Sequence, residues 1–182
     1  MTNLLNNYLS GQWQTGASAV HTLLDPVTGE ALATTGGAAP GLKEGFAFAR
    51  TEGARALQAM TYAQRAAMLS EAVKVMQAKR DDYYAISLAN SGTTKTDSGV
   101  DVDGGLFTLG YYAKLGMALG DARTLTDGAA AIMSKDQLFQ SQHVMVPIKG
   151  LALFINAFNF PSWGLWEKAG RSEERRVGKE CL

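Results

Sequence analysis

Apolar positions recur at helical spacing in two stretches of the chain. Leu69, Ala72, Val73 and Met76 fall at i, i+3, i+4 and i+7, a stripe that faces a core. Thr61 followed by Gln64 forms a capping-box pattern for the start of that helix. Val102, Leu106, Leu109 and Ala113 mark one side of a longer helix, with Ser98 and Asp101 as candidate caps. A further helical stretch around Tyr84 to Ala89 is closed by Asn90 and Gly92, and Pro40 suits the first turn of a helix through Leu42 and Phe46.

Other stretches carry extended patterns. Asn7 to Trp13 alternates around Gly11 like a small hairpin, with Tyr8 and Trp13 as its large apolar residues. Asp25-Pro26-Val27-Thr28-Gly29 is turn chemistry, and Ala31 to Thr35 can follow as a short strand. Ala129 to Met133 and His143 to Ile148 flank a polar turn and predict a hairpin arm. Leu151 to Ile155 is apolar at every position, which suits a strand buried on both faces of a parallel sheet. A helix is expected from about Ser162, after Pro161, cut off within two turns. The expected layout is α/β and incomplete: a helical layer, a hairpin arm and the first strand of a parallel-sheet domain.

Composition narrows the function classes. The 182 residues are 46% hydrophobic and 19% charged, ordinary for a globular domain with a core. Formal net charge is zero, so no global field favours nucleic acid or a lipid surface. The longest apolar stretch, Leu151 to Ile155, is far short of the roughly 20 residues of a membrane helix. The first residues lack the basic start and apolar core of a signal peptide. A soluble, cytoplasmic protein is expected, with neither nucleic acid nor membrane as partner.

The chain changes character after Gly170. Arg171 to Glu180 carries seven charges in ten residues. It reads as a solvated helix end, as a short basic arm for nucleic acid, which three acids among four bases weaken, or as the conceptual translation of a common DNA-sequencing adapter, which the string through Cys181 resembles and which fits better than either. On the last reading residues 1–170 form the native part and residues 171–182 a non-native charged tail. Cys181, the one cysteine of the chain, then belongs to the tail.

Candidate chemistry concentrates in Gly150 to Gly170, GLALFINAFNFPSWGLWEKAG. The strand pattern there ends in Asn156, Ala157, Phe158 and Asn159 before the turn at Pro161. The carboxyl end of a parallel strand is where α/β proteins bind ligands. The residues alone leave two readings of Asn159: a side chain satisfying turn backbone groups, or a site amide. No metal site is expected. His21 and His143 have no ligand-spaced cysteine or carboxylate near them. Asp101 and Asp103 form a helix-start charge pattern. Gly36-Gly37 and Gly104-Gly105 lack a phosphate-cradle context, and Tyr83, Tyr84, Tyr111 and Tyr112 suit core or interface positions.

The chain resembles the aldehyde dehydrogenase superfamily, whose members carry a strand ending in Pro-Trp-Asn-Phe-Pro where this chain has Ala157-Phe158-Asn159-Phe160-Pro161. Tyr8-Leu9-Ser10-Gly11-Gln12-Trp13 looks like the family's opening hairpin. Pro26-Val27-Thr28-Gly29-Glu30 is similar to its following turn, and Arg65 with Leu69 matches the next helix. Asn156 to Pro161 with Trp163-Gly164, together with Asp101-Val102-Asp103-Gly104-Gly105, looks like the branch from phenylacetate degradation. Those bifunctional proteins join a dehydrogenase to a hydratase-like domain that opens an oxepin-CoA ring.

The resemblance implies the amino-terminal part of that fold, ending in the first strand of a Rossmann-like sheet. It also implies an NADP- or NAD-dependent oxidation of a small-molecule aldehyde, a CoA thioester semialdehyde, by a homo-oligomer. In the family a cysteine thiolate attacks the aldehyde, hydride passes to the nicotinamide, and a glutamate activates the hydrolytic water. Asn159 matches the asparagine whose amide donates to the oxyanion, a catalytic role. Ile155, Asn156, Ala157 and Phe158 match the strand end along the cofactor. The cysteine, the glutamate and the cofactor-binding lysine lie further along in relatives, so these 182 residues are expected to be inactive alone. The arm that pairs with a neighbouring subunit leaves a second reading open, a non-catalytic interaction module.

Overall fold

The computed structural model describes residues 3–16, 18–37, 41–148 and 150–174. Pro40, the expected first-turn proline, and Cys181 lie outside them. Asn7–Leu9 (β2) and Gln12–Gln14 (β3) form the expected hairpin. Ser10 and Gly11 both adopt positive φ, the turn that matches strand twist, and Tyr8 meets Trp13 edge-to-face at 5.1 Å. A three-stranded sheet, order β1-β5-β4, joins Asn3–Leu5 (β1), Ala31–Gly36 (β5) and Ala19–Leu24 (β4). β1 runs parallel and β4 antiparallel to β5. The Asp25 turn forms as expected: its Oδ1 accepts from the N–H groups of Val27 and Thr28 at 2.8 and 3.0 Å.

Helices follow. Leu42–Phe48 (α1) passes through a π-helical turn at Ala49–Gly53 into Ala54–Ala59 (α2). Tyr62–Ala78 (α3) opens with the capping box, each of Thr61 and Gln64 bonding the other's backbone N–H. Arg65 is buried; its Nη1 donates to the carbonyls of Leu57 and Met60, tying α3 to the end of α2. Arg80–Ser91 (α4) starts just over a turn before the Tyr84 stretch and contains Asn90; Gly92, at φ 63°, is the cap.

Lys95–Leu119 (α5) is capped by Thr94, whose Oγ1 accepts from the Asp97 N–H. Ser98 and Asp101 are therefore not its caps, because the helix begins before them. Both lie in its interior, fully buried. α5 packs between α3 and Pro161–Glu174 (α6). Met76, Val102, Leu106 and Leu109 form the core, with Leu69, Ala72, Val73, Tyr83, Tyr84 and Trp166 against it. The two apolar stripes seen in the sequence thus face each other. Tyr111, by contrast, is exposed.

Close approach explains Gly104-Gly105: a methyl group on Gly104 would come within 2.6 Å of the Trp163 ring, and one on Gly105 within 3.2 Å of the Ser162 carbonyl. α6 exceeds the expected two turns, since its contact with α5 continues to Gly170 against Leu109 and Tyr112. Leu125–Ile132 (β6) and Gln140–Met145 (β7) form the hairpin arm, displaced toward the amino terminus from its expected bounds. Thr126 and Asp127 extend the pairing, whereas Pro147 has no N–H to donate. Among the described residues no helix is long and apolar enough to cross a membrane.

The expected buried strand at Leu151–Ile155 does not form. No hydrogen-bonded strand occurs there among the described residues. Leu153 is 76% and Ile155 81% exposed. A run apolar on both faces needs cover on both, and no neighbouring strand supplies it among the described residues.

Candidate active site

Asn156 to Phe160 is the stretch of backbone that leads into α6. Phe160 has no side-chain acceptor and Pro161 no N–H, so α6 begins without a cap of its own. Asp101 of α5 supplies it. Its Oδ2 accepts from the Ser162 N–H at 3.1 Å and its Oδ1 from the Trp163 N–H at 2.8 Å. The carboxylate is 1% exposed, so these bonds are sheltered from competing water.

Three further bonds hold the loop. Lys168 Nζ, reaching back from α6, donates to the Asn156 Oδ1 at 3.1 Å and the Ile155 carbonyl at 3.4 Å. Ser91 Oγ, at the end of α4, donates to the Phe158 carbonyl at 3.3 Å. Three helices, α4, α5 and α6 itself, therefore fix a loop that has no strand partner among the described residues.

The sequence-derived candidates come together on this loop. Ile155, Ala157, Phe158 and Asn159 are exposed; Asn156 is half-buried. The Asn159 amide makes no hydrogen bond to a turn backbone group among the described residues. Asn156 also lines a cavity of about 300 Å³ with Met76, Tyr83, Val102, Leu106 and Trp166. A larger open groove of about 690 Å³ lies between the β2–β3 hairpin, α1, α3 and residues 150–154. Its lining, including Leu9, Phe46, Leu69 and Phe154, is apolar apart from a few residues such as Arg65, so of the candidates it is Asn156, at the smaller cavity, that meets an enclosed space.

Sequence reasoning placed Asp101 at a helix start, which is correct for the wrong helix. Asp103, its partner in that pattern, instead pairs at the surface with Arg80 and with the Tyr84 hydroxyl, linking α5 to α4. The Ser91 and Lys168 contacts gave no sequence signal. The missing cap at Phe160-Pro161 was the available clue that some other element must reach the α6 N-terminus.

The profile of the aldehyde dehydrogenase family matches residues 13–170, most of the chain. The chain belongs to that family. The 3,4-dehydroadipyl-CoA semialdehyde dehydrogenase of Aromatoleum evansii is 50% identical to it over 165 residues, 91% of this chain and 32% of that protein. Among solved structures, aldehyde dehydrogenase 21 of Physcomitrella patens, in complex with the reaction product succinate, superposes with a TM-score of 0.77 at 16% identity. It covers 98% of this chain and 36% of its own. An NADP-dependent enzyme of E. coli gives a TM-score of 0.75 at 16% identity, over 96% and 34% of the two chains. A betaine aldehyde dehydrogenase variant of Staphylococcus aureus, in complex with NAD+, gives 0.72 at 17% identity, over 93% and 33%. These likenesses show the fold: a mixed α/β arrangement with part of the family's sheets. The chain spans about a third of the length of each relative.

Proposed function

We propose that residues 1–170 are the amino-terminal part of an NAD(P)-dependent aldehyde dehydrogenase that oxidises a CoA-linked semialdehyde in phenylacetate breakdown. Residues 171–182 are not native to that enzyme on this reading. The observation that carries it is the exposed Asn159 amide, on a loop held by Ser91 of α4, Asp101 of α5 and Lys168 of α6, in a chain half identical to a CoA-semialdehyde dehydrogenase.

Asn159 donates its side-chain N–H to the oxyanion that forms when a thiolate adds to the aldehyde carbonyl. One such donor is worth about 3–4 kcal/mol of barrier. A nicotinamide cofactor, when bound, supplies the hydride acceptor. The residues present fit its edge: Ile155 and Phe158 offer exposed apolar surface, and the backbone from Asn156 to Ala157 offers polar contacts. This edge gives packing and orientation, and phosphate recognition belongs to other parts of the enzyme. The nucleophilic cysteine and the base glutamate likewise belong to the family pattern beyond this segment, so the 182-residue chain alone is inactive.

The test is a cofactor-reduction assay on two proteins. One is the 182-residue chain, expected to reduce neither NADP nor NAD with any aldehyde. The other is the reading frame obtained by long-read sequencing across the codons for Lys168 to Leu182, expected to be active. In it Asn159→Ala lowers kcat by about 100- to 1000-fold. Reduction by the short chain, or full activity without Asn159, would falsify the reading.

One observation favours a second role beside catalysis. The β6–β7 arm is exposed along nearly its whole length, including Ile132, Phe139 and Val144. It fits a surface for a second copy, as in a homo-oligomer, and light scattering on the arm-deleted protein tests this by loss of the oligomer.

A further inference from the structure

We propose that Asp101 is a positioning residue for Asn159, acting through the N-terminus of α6; this rests on the reading of Asn159 as the oxyanion donor. Three observations support it. First, α6 has no local cap, since neither Phe160 nor Pro161 can satisfy its first free N–H groups. Second, Asp101 meets those donors with one oxygen each, at 2.8 and 3.1 Å, so both halves of the carboxylate are committed to the first turn of α6. Third, only Phe160 separates Asn159 from Pro161, whose ring fixes φ, so the orientation of the helix start is passed on to the amide.

Asp101 touches neither Asn159 nor the reacting atoms. It holds the helix from which they hang. Lys168 and Ser91 constrain the loop at Ile155, Asn156 and Phe158, all on the other side of Asn159. Asp101 therefore controls the one end of the loop that these residues leave free. Displacing a catalytic group by about 1 Å can lower the rate about 100-fold.

Asp101→Asn keeps the shape of the side chain but turns an NH₂ group toward one of the two N–H donors. In the 182-residue chain, hydrogen exchange at Ser162 and Trp163 rises with this substitution and does not rise with Asp103→Asn, which leaves α6 untouched. Unchanged exchange overturns the proposal. In the full-length dehydrogenase Asp101→Asn lowers kcat about 10- to 100-fold with the cofactor KM within about twofold of wild type. The deciding comparison is the pair. If Asp101 acts through Asn159, adding Asp101→Asn to Asn159→Ala changes kcat no further. If the two losses multiply, Asp101 is only structural and the proposal fails. Asp101→Glu, with both acceptors one methylene further out, gives a smaller loss in the same sense and serves where Asp101→Asn does not fold. An Asn159→Ala variant with intact kcat removes the underlying reading itself, a result distinct from multiplying losses.

Discussion

α5 and the segment Leu151–Ile155 are both rich in apolar residues, and they meet opposite fates. α5 buries Leu109 completely and Val102, Leu106 and Ala113 almost so, because each falls on one side of the helix and α3 and α6 cover that side. The segment is the more apolar of the two per residue, yet Leu153 and Ile155 stand in solvent. Hydrophobicity supplies the drive for burial, but periodicity decides whether a neighbour can satisfy it. A helix needs one apolar stripe covered; a strand apolar on both faces needs two layers and flanking strands.

The sharpest way to break this comparison is to truncate one side chain in each region. Leu109→Ala removes buried atoms from a filled core and should lower stability by about 4 kcal/mol. Leu153→Ala removes atoms already in water and should change it by less than about 0.5 kcal/mol. Urea unfolding of the 182-residue chain reads both. Equal losses would mean that the segment is packed in solution and that the contrast is wrong. The same Leu153→Ala substitution in the full-length dehydrogenase should become costly, because there the proposed sheet would cover it.

A second test stays within α5 and separates its covered side from its open one. A methyl group on Gly116 would lie 2.8 Å from the buried Ala66 Cβ and 3.4 Å from the Tyr62 carbonyl, neighbours with no flexible end to move aside. A methyl group on Gly110 meets nothing within 4 Å. Both substitutions gain about 1 kcal/mol of helix propensity. Overpacking of about 1–3 kcal/mol then turns Gly116→Ala into a net loss, whereas Gly110→Ala stabilises. Thermal unfolding should therefore move in opposite directions for two identical substitutions on one helix. Movement in the same direction would show that α5 does not lie against α3 as described.

What was legible in the sequence follows the same division. Thr61 with Gln64, the Leu69–Met76 stripe, the Tyr8–Trp13 hairpin and the Gly92 cap all depend on residues within a few positions of one another, and each occurs in the structure. β1 and β4 were not legible. β1 is three residues long, and β4, six residues like β5, pairs with it through two register shifts that break a regular alternation. The Asn156–Asn159 loop was found through a family resemblance and not through spacing. Its supports were hidden for a physical reason: Asp101 acts on backbone groups 61 and 62 positions away, and Ser91 on one 67 away. A cap contributed from another helix has no local signature beyond the absence of the usual one.

The smallest expected effect concerns the surface link between α4 and α5, where Arg80 and the Tyr84 hydroxyl both meet Asp103. Arg80 and Asp103 are each close to half exposed, so this pair should add little beside the core beneath it. Its trace is in alkali. Partial burial, and then the hydrogen bond to Asp103, raises the Tyr84 hydroxyl above its ordinary value of 10.0. The folded chain thus holds the phenol proton more tightly than the unfolded chain does. Below about pH 10 both states are protonated and stability is unaffected by this group. Above it the unfolded chain loses the proton first, so stability falls as pH rises toward the raised value. Tyr84→Phe should leave stability at neutral pH nearly unchanged and flatten that alkaline decline. A large loss at neutral pH would instead show that α4 is held to α5 by this surface link and not by Tyr83 and the buried face of α5.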